Sequence, residues 1–123
     1  MTAAELRYLI ATDELYDGTI GVKLTEIASR TGVSKVSVYR AVERLEKGGY
    51  VKRDEKNKVV LTKYGKEQLN EYMIIINWLC NHLERHCNVS KETAYQDAIG
   101  ASCAMSDESR HGFFDFFNKG GKQ

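Results

Sequence analysis

The sequence predicts a mainly α-helical protein carrying one small two-stranded β element, and three observations predict it. Apolar residues recur at the three-and-four spacing of helices in six separate stretches. Two short β-prone runs, 50–53 and 58–62, flank the polar tetrapeptide Asp54-Glu55-Lys56-Asn57, as the arms of a hairpin do. Glycines at 18, 32 and 48–49 punctuate the early helices, and there is no proline to break the later ones.

Each element follows in turn. Leu6, Leu9 and Ile10, with Leu15 and Tyr16 further along, mark a first amphipathic helix over 3–17 that ends at Gly18. After a short connector, Leu24, Ile27 and Ala28 mark a two-turn helix closing near Thr31-Gly32. Val33 begins a turn, and Ser34 is a good N-cap for a third helix whose Val38, Ala41, Val42 and Leu45 face inward, stopping at Gly48-Gly49. Two helices joined by a short glycine-containing turn form a helix-turn-helix, and the hairpin that follows adds a wing. From about Thr62 to His86, Leu69, Tyr72, Met73, Ile76, Leu79, Cys80 and Leu83 describe one long helix with a broad apolar stripe that requires a partner. A fifth helix follows Ser90 to about Cys103, and a sixth follows Ser106 to Phe117. Phe113, Phe114, Phe116 and Phe117 crowd that last helix, where they either close the core of a dimer, the expected role, or offer an effector pocket. The domain reading is a winged helix-turn-helix over 1–65, a helical dimerisation domain over 66–117 and a fraying tail over 118–123.

Composition narrows the function. The 123 residues suit a small reading domain with an oligomerisation element, and exclude two large domains. The longest apolar run, Met73-Ile74-Ile75-Ile76, is far short of the roughly 20 residues of a bilayer span, so no membrane partner is expected. Three cysteines without close spacing read as reduced thiols, which points to a cytoplasmic protein. No glycine-rich phosphate loop appears, and His82, His86 and His111 have no nucleophile motif around them, so catalysis is not expected. The formal charge of +1 conceals a segregation. Residues 30–66 hold eleven lysines and arginines against four carboxylates, a surplus of seven, while 67–123 hold five against eight, a deficit of three. A basic half is the footprint of a nucleic-acid binder.

In a helix-turn-helix the N-terminal part of the second helix enters the major groove, so its outward side chains must reach base edges. Ser34, Lys35, Ser37 and Arg40 fit that demand, Val36 suits a thymine methyl, and Tyr39 suits a base or a phosphate. Arg44 and Lys47 lie further along and suit the backbone, as do Lys56 and Lys58 at the wing tip. The alternative is a winged helix that serves as a protein-interaction adaptor.

The stretches Glu5-Leu6-Arg7-Tyr8-Leu9-Ile10, Leu24-Thr25-Glu26-Ile27-Ala28 and Val33-Ser34-Lys35-Val36-Ser37-Val38 resemble the diphtheria toxin repressor family of iron- and manganese-dependent regulators. The likeness continues through Leu45-Glu46-Lys47-Gly48-Gly49-Tyr50-Val51 and Leu61-Thr62-Lys63-Tyr64-Gly65 to Asp97-Ala98 and Met105-Ser106-Asp107-Glu108, in the family's order, covering about residues 5–117 in the shorter, manganese-type architecture. The resemblance implies a homodimeric repressor that binds a palindromic operator in double-stranded DNA under the control of a divalent transition metal. It also places the family's ligands at Arg7, Ile10, Ile76, Ile99, Ser102 and Cys103, and an accessory site at Ile76, Cys80 and Tyr95. Of the first set only Cys103 coordinates a metal well.

The residues leave three further readings of the second half. Cys80 and Cys103 could bind a softer metal such as Zn²⁺ or respond to oxidants. His82 and His86, four apart on one helical face with Cys87 beside them, have a chelating spacing. The third is a metal-independent regulator in which the cysteines are small core residues and the histidines are solvated.

Overall fold

The computed structural model describes residues 1–120 and divides into two units, Met1–Leu69 and Asn70–Gln123. The element order is α1 (Ala3–Leu15), α2 (Leu24–Thr31), α3 (Lys35–Lys47), β1 (Val51–Arg53), β2 (Val59–Leu61), α4 (Lys63–His86), α5 (Lys91–Ala104) and α6 (Asp107–Asn118). This is the mainly α architecture with a β wing that the sequence predicts. Among the described residues no helix is long and apolar enough to cross a membrane.

In the first unit α1 is the central element. It touches α2, α3 and β2, and its Leu6, Tyr8, Leu9, Ile10, Ala11 and Thr12 are all buried. The amphipathic helix expected there is therefore corrected: neighbours cover α1 on several sides, and the Thr12 hydroxyl is satisfied by donating to the Tyr8 carbonyl at 2.7 Å. The helix also stops two residues earlier than expected, because Tyr16 is already extended and Asp17 accepts from the amides of Thr19 and Ile20 in a tight turn. A capping box between Thr2 and Glu5 starts it. Ile27 from α2 and Val38, Ala41, Val42 and Leu45 from α3 complete the core, as their spacing predicts.

The wing is antiparallel, with Val51 opposite Leu61 and Arg53 opposite Val59. Its tip closes on Asn57 in the left-handed conformation, with Asp54 Oδ1 accepting from the amides of Lys56 and Lys58 at 2.8 and 3.0 Å. Those hydrogen bonds, the Lys58 amide foremost, hold the Asp54 carboxyl below its ordinary range. The stretch read as a plain connector does more than join helices. Val22 exchanges both backbone hydrogen bonds with Val59 at 2.8 Å, which pins β2 to the segment entering α2. Gly21 allows that approach, since a Cβ there would lie 2.8 Å from Lys58 Cβ. At the start of α4 the Thr62 hydroxyl reaches the carbonyls of Gly49 and Tyr50 and accepts from the Gly65 amide, and any side chain at 65 would collide with the Tyr50 backbone.

In the second unit Tyr72, Ile75 and Ile76 of α4 are buried, as are Ala94, Ala98, Ile99 and Ser102 of α5. Ser90 and Ser106 cap α5 and α6 through the amides of Thr93 and Ser109. Arg110 of α6 is buried, with its guanidinium over the Tyr72 ring at 4.5 Å, 2.8 Å from Asp107 and 3.6 Å from Glu71, whose carboxylate also meets His111 Nε2 at 3.2 Å. The four phenylalanines do not form a closed core. Phe113 stacks on Phe117 and meets Trp78 edge-on, but Phe116 and Trp78 remain about half exposed. Asn118, expected in the tail, is the last residue of α6, and 121–123 fall outside the described residues.

Candidate functional site

The third helix begins as its N-cap predicts. Ser34 accepts from the Ser37 amide at 3.1 Å and its hydroxyl donates to that of Ser37 at 3.0 Å. The first turn therefore presents its remaining amides and the side chains of Lys35, Val36 and Ser37 to solvent. Val36 is 62% exposed, unusual for a β-branched side chain on a short polar helix face. Tyr39 and Arg40 continue the exposed face, while Val38, Ala41 and Val42 behind them are buried.

Tyr39 is held in place. The Arg53 guanidinium, from β1, lies 5.1 Å over its ring and is itself fixed to Glu46 Oε1 by hydrogen bonds of 2.8 and 3.2 Å. The hydrogen bond from Arg53 lowers the Glu46 pKa, and Glu46 in turn raises that of Arg53. Arg44, assigned a backbone contact from its position, is exposed but engaged: its Nε donates to Glu5 Oε2 at 2.7 Å. Burial would raise the Glu5 carboxyl, yet the hydrogen bonds from Arg44 and the Thr2 amide outweigh it and leave the pKa lowered. Arg30 likewise pairs with Glu14 at 3.1 Å. Part of the positive charge counted from the sequence is thus committed within the fold.

Three lysines of the basic half, together with Lys23, meet at one cleft. Lys35 and Tyr39 of α3, Lys56, Asn57 and Lys58 of the wing tip, and Lys23, Leu24 and Thr25 at the start of α2 line a groove of about 440 Å³. Four lysines around one open groove form a cation-lined channel, suited to an anionic polymer and poorly suited to an apolar ligand. Lys23 and Thr25 were not singled out from the sequence. The available signal was their place at a helix N-terminus, where free amides add to the positive field.

Comparison with known proteins agrees with this architecture. Residues 6–55 match the IclR helix-turn-helix domain. Among solved structures, a hypothetical protein from Sulfolobus solfataricus superposes with a TM-score of 0.72 at 22% identity, over 97% of this chain and 91% of that one. The manganese regulator SloR superposes at 0.75 with 23% identity, over 96% of this chain and 55% of its own. A manganese-dependent transcriptional repressor in complex with manganese gives 0.67 and 20%, over 99% and 54%. The fold is that of the metal-dependent winged-helix regulators. The family resemblance read from the sequence thus agrees with the structural neighbours, although the chain spans only about half the length of these two manganese proteins. No curated protein matches the sequence.

Two of these neighbours are manganese proteins, and in this chain the positions where the family resemblance places metal ligands do not fit a hard ion. Ile76 and Ile99 are fully buried hydrocarbon without a donor, and Ile10 on α1 is buried hydrocarbon too. The buried Ser102 hydroxyl already donates to the Ile99 carbonyl at 2.8 Å. Arg7 supplies a permanent positive charge. Cys103 is half-buried and close enough to Tyr72 to help raise that hydroxyl's pKa, after burial itself. Cys80 is half-buried, with Sγ 3.3 Å from Glu84 Oε2; burial first, then the Glu84 carboxylate, push its thiol up and away from the thiolate that binds metals and reacts with oxidants. Among the described residues no three His, Cys, Asp or Glu side chains gather as a metal cluster would require. A set of oxygen and nitrogen donors for Mn²⁺ or Fe²⁺ is not assembled at these positions.

Proposed function

We propose that this protein is a cytoplasmic, sequence-specific DNA-binding transcriptional regulator, a repressor, acting as a homodimer on a palindromic operator. The observation that carries the reading is the lysine-lined groove between α2, the exposed first turns of α3 and the wing tip. In this reading α3 enters the major groove, where Lys35, Val36, Ser37, Tyr39 and Arg40 meet base edges. Ser34 secures the helix start, and its free amides meet a phosphate. Lys56 and Lys58 lie along the backbone beside the groove, joined by Lys23. Arg44 contributes only where a phosphate competes with Glu5 for its guanidinium. The exposed aromatic side chains Trp78 and Phe116 support self-association through the second unit, because apolar rings of that size are costly to leave in water. The resemblance and the manganese regulators among the structural neighbours support a place in metal-linked regulation, but the mismatched ligand positions favour DNA binding that does not wait for Mn²⁺ or Fe²⁺.

Gel-shift titration with DNA upstream of its own gene, with and without chelator, tests the reading. Salt-sensitive and sequence-selective binding that survives chelation is the expected result. Lys35→Ala or Arg40→Ala should cost about 1–3 kcal/mol on the operator and relax selectivity, whereas Lys56→Ala or Lys58→Ala should weaken all sequences alike and lower the salt slope by about 1 each. Equal losses at all four positions would mean that α3 is not the reading helix. Absence of binding under every metal condition would point instead to an adaptor that uses the same face for a protein.

A further inference from the structure

The geometry points to a two-imidazole site for a divalent transition ion of borderline softness, Zn²⁺, Ni²⁺ or Cu²⁺, formed by His82 and His86 on the last two turns of α4. The two rings are exposed, four residues apart on one helical face, with centroids 5.1 Å apart and planes at 48°. That spacing is what a shared ion requires. With metal–nitrogen bonds of about 2.0–2.1 Å and ring nitrogens about 1.2 Å from their centroids, two imidazoles on one ion stand about 4.5 Å apart at a right angle and about 5.2 Å apart at a tetrahedral one. The observed centroid separation falls within that range.

Three surrounding features favour the same spot. Trp78 stacks on His82 at 5.3 Å and 9°, which restrains the ring and reduces the entropy lost on binding. Trp78, Asn81, His82, Arg85 and His86 enclose a shallow cavity of about 180 Å³, room for the ion and the waters that complete its coordination. The site also sits at the carboxyl end of a 24-residue helix, the negative end of its dipole, closed by Asn88 in the left-handed conformation. Arg85 on the same wall is exposed, and its flexible stem lets the guanidinium turn to solvent. Imidazole donors select Zn²⁺, Cu²⁺ and Ni²⁺ over Mn²⁺, so the site differs in chemistry as well as position from the one that the family resemblance implies.

The single tryptophan of the chain reports on this site directly. Ni²⁺ titrated into the purified full-length protein should quench Trp78 emission saturably at one ion per chain, and excess Zn²⁺, which does not quench, should restore it. His82→Ala and His86→Ala should each weaken Ni²⁺ by at least about tenfold, since losing even an outer-shell support costs about 10–100-fold. His86→Ala is the cleaner variant, because it leaves the Trp78–His82 stack in place. His111→Ala and a Cys80→Ser, Cys103→Ser double variant should leave the titration unchanged. Unaltered affinity in His86→Ala, or an equal loss in the cysteine variant, would overturn the assignment.

Discussion

The two units handle their cations differently. Met1–Leu69 packs hydrocarbon around several sides of α1 and lines an open groove with four lysines, beside the exposed side chains of Val36 and Tyr39. From Asn70 onward the protein buries a guanidinium, Arg110, and leaves the Trp78 and Phe116 rings about half exposed. An exposed cationic groove is complementary to a large anion, whereas exposed aromatic rings are complementary to another apolar surface. Under the proposed function the first of these features would face DNA and the second another copy of the chain, although both units are largely helical.

The largest expected effect that would break this comparison lies in the second unit. Arg110→Ala leaves the buried Glu71 Oε1 facing only His111 Nε2 and should destabilise the protein by about 3–5 kcal/mol in denaturant unfolding. A loss under 1 kcal/mol would show that the buried charges contribute nothing specific, and Glu71→Leu combined with Arg110→Met should recover much of the loss. In the first unit Leu9→Ala, a truncation at a fully buried position, should cost about 2–5 kcal/mol. If the units unfold separately, the two variants should affect different transitions. Ser34→Ala removes the N-cap of α3 and should cost about 1 kcal/mol, with a matching loss of operator affinity if the helix start also holds a phosphate.

The smallest effect concerns pH. Glu5 has a folded pKa below its unfolded one, so its contribution is present above the ordinary carboxylate range and is lost as pH falls through the folded value. Glu5→Gln should therefore narrow the gap to wild type as the pH is lowered, and leave Arg44 available to a phosphate. A constant difference across the acid range would show that the carboxyl group packs without being held by Arg44.

Much of this molecule is written in short segments. The starts of α3, α5 and α6 were legible at Ser34, Ser90 and Ser106, because a cap is a hydrogen bond to an amide three residues away and depends on nothing distant. The buried face of α3 was legible for a similar reason, since 3.6-residue periodicity places Val38, Ala41, Val42 and Leu45 on one side whatever they meet. The basic wing tip and the exposed face of α3 followed from the same local rules.

What lay beyond those rules depends on residues far apart in the chain. Glu5 and Arg44 are 39 positions apart, and nothing in either segment shows that one will claim the other. Val22 pairs with Val59 only because the fold returns the chain there, and Lys23 and Thr25 reach the groove on the same return. Arg110 reads as a surface residue in a charged run until α4 brings Glu71 and Tyr72 to it. Local hydrogen bonds and periodicity are properties of a segment, so residue order settles the helices, the wing and the cationic face. Burial and charge pairing are properties of neighbours, so which cations stay open to a partner follows from how the segments come together.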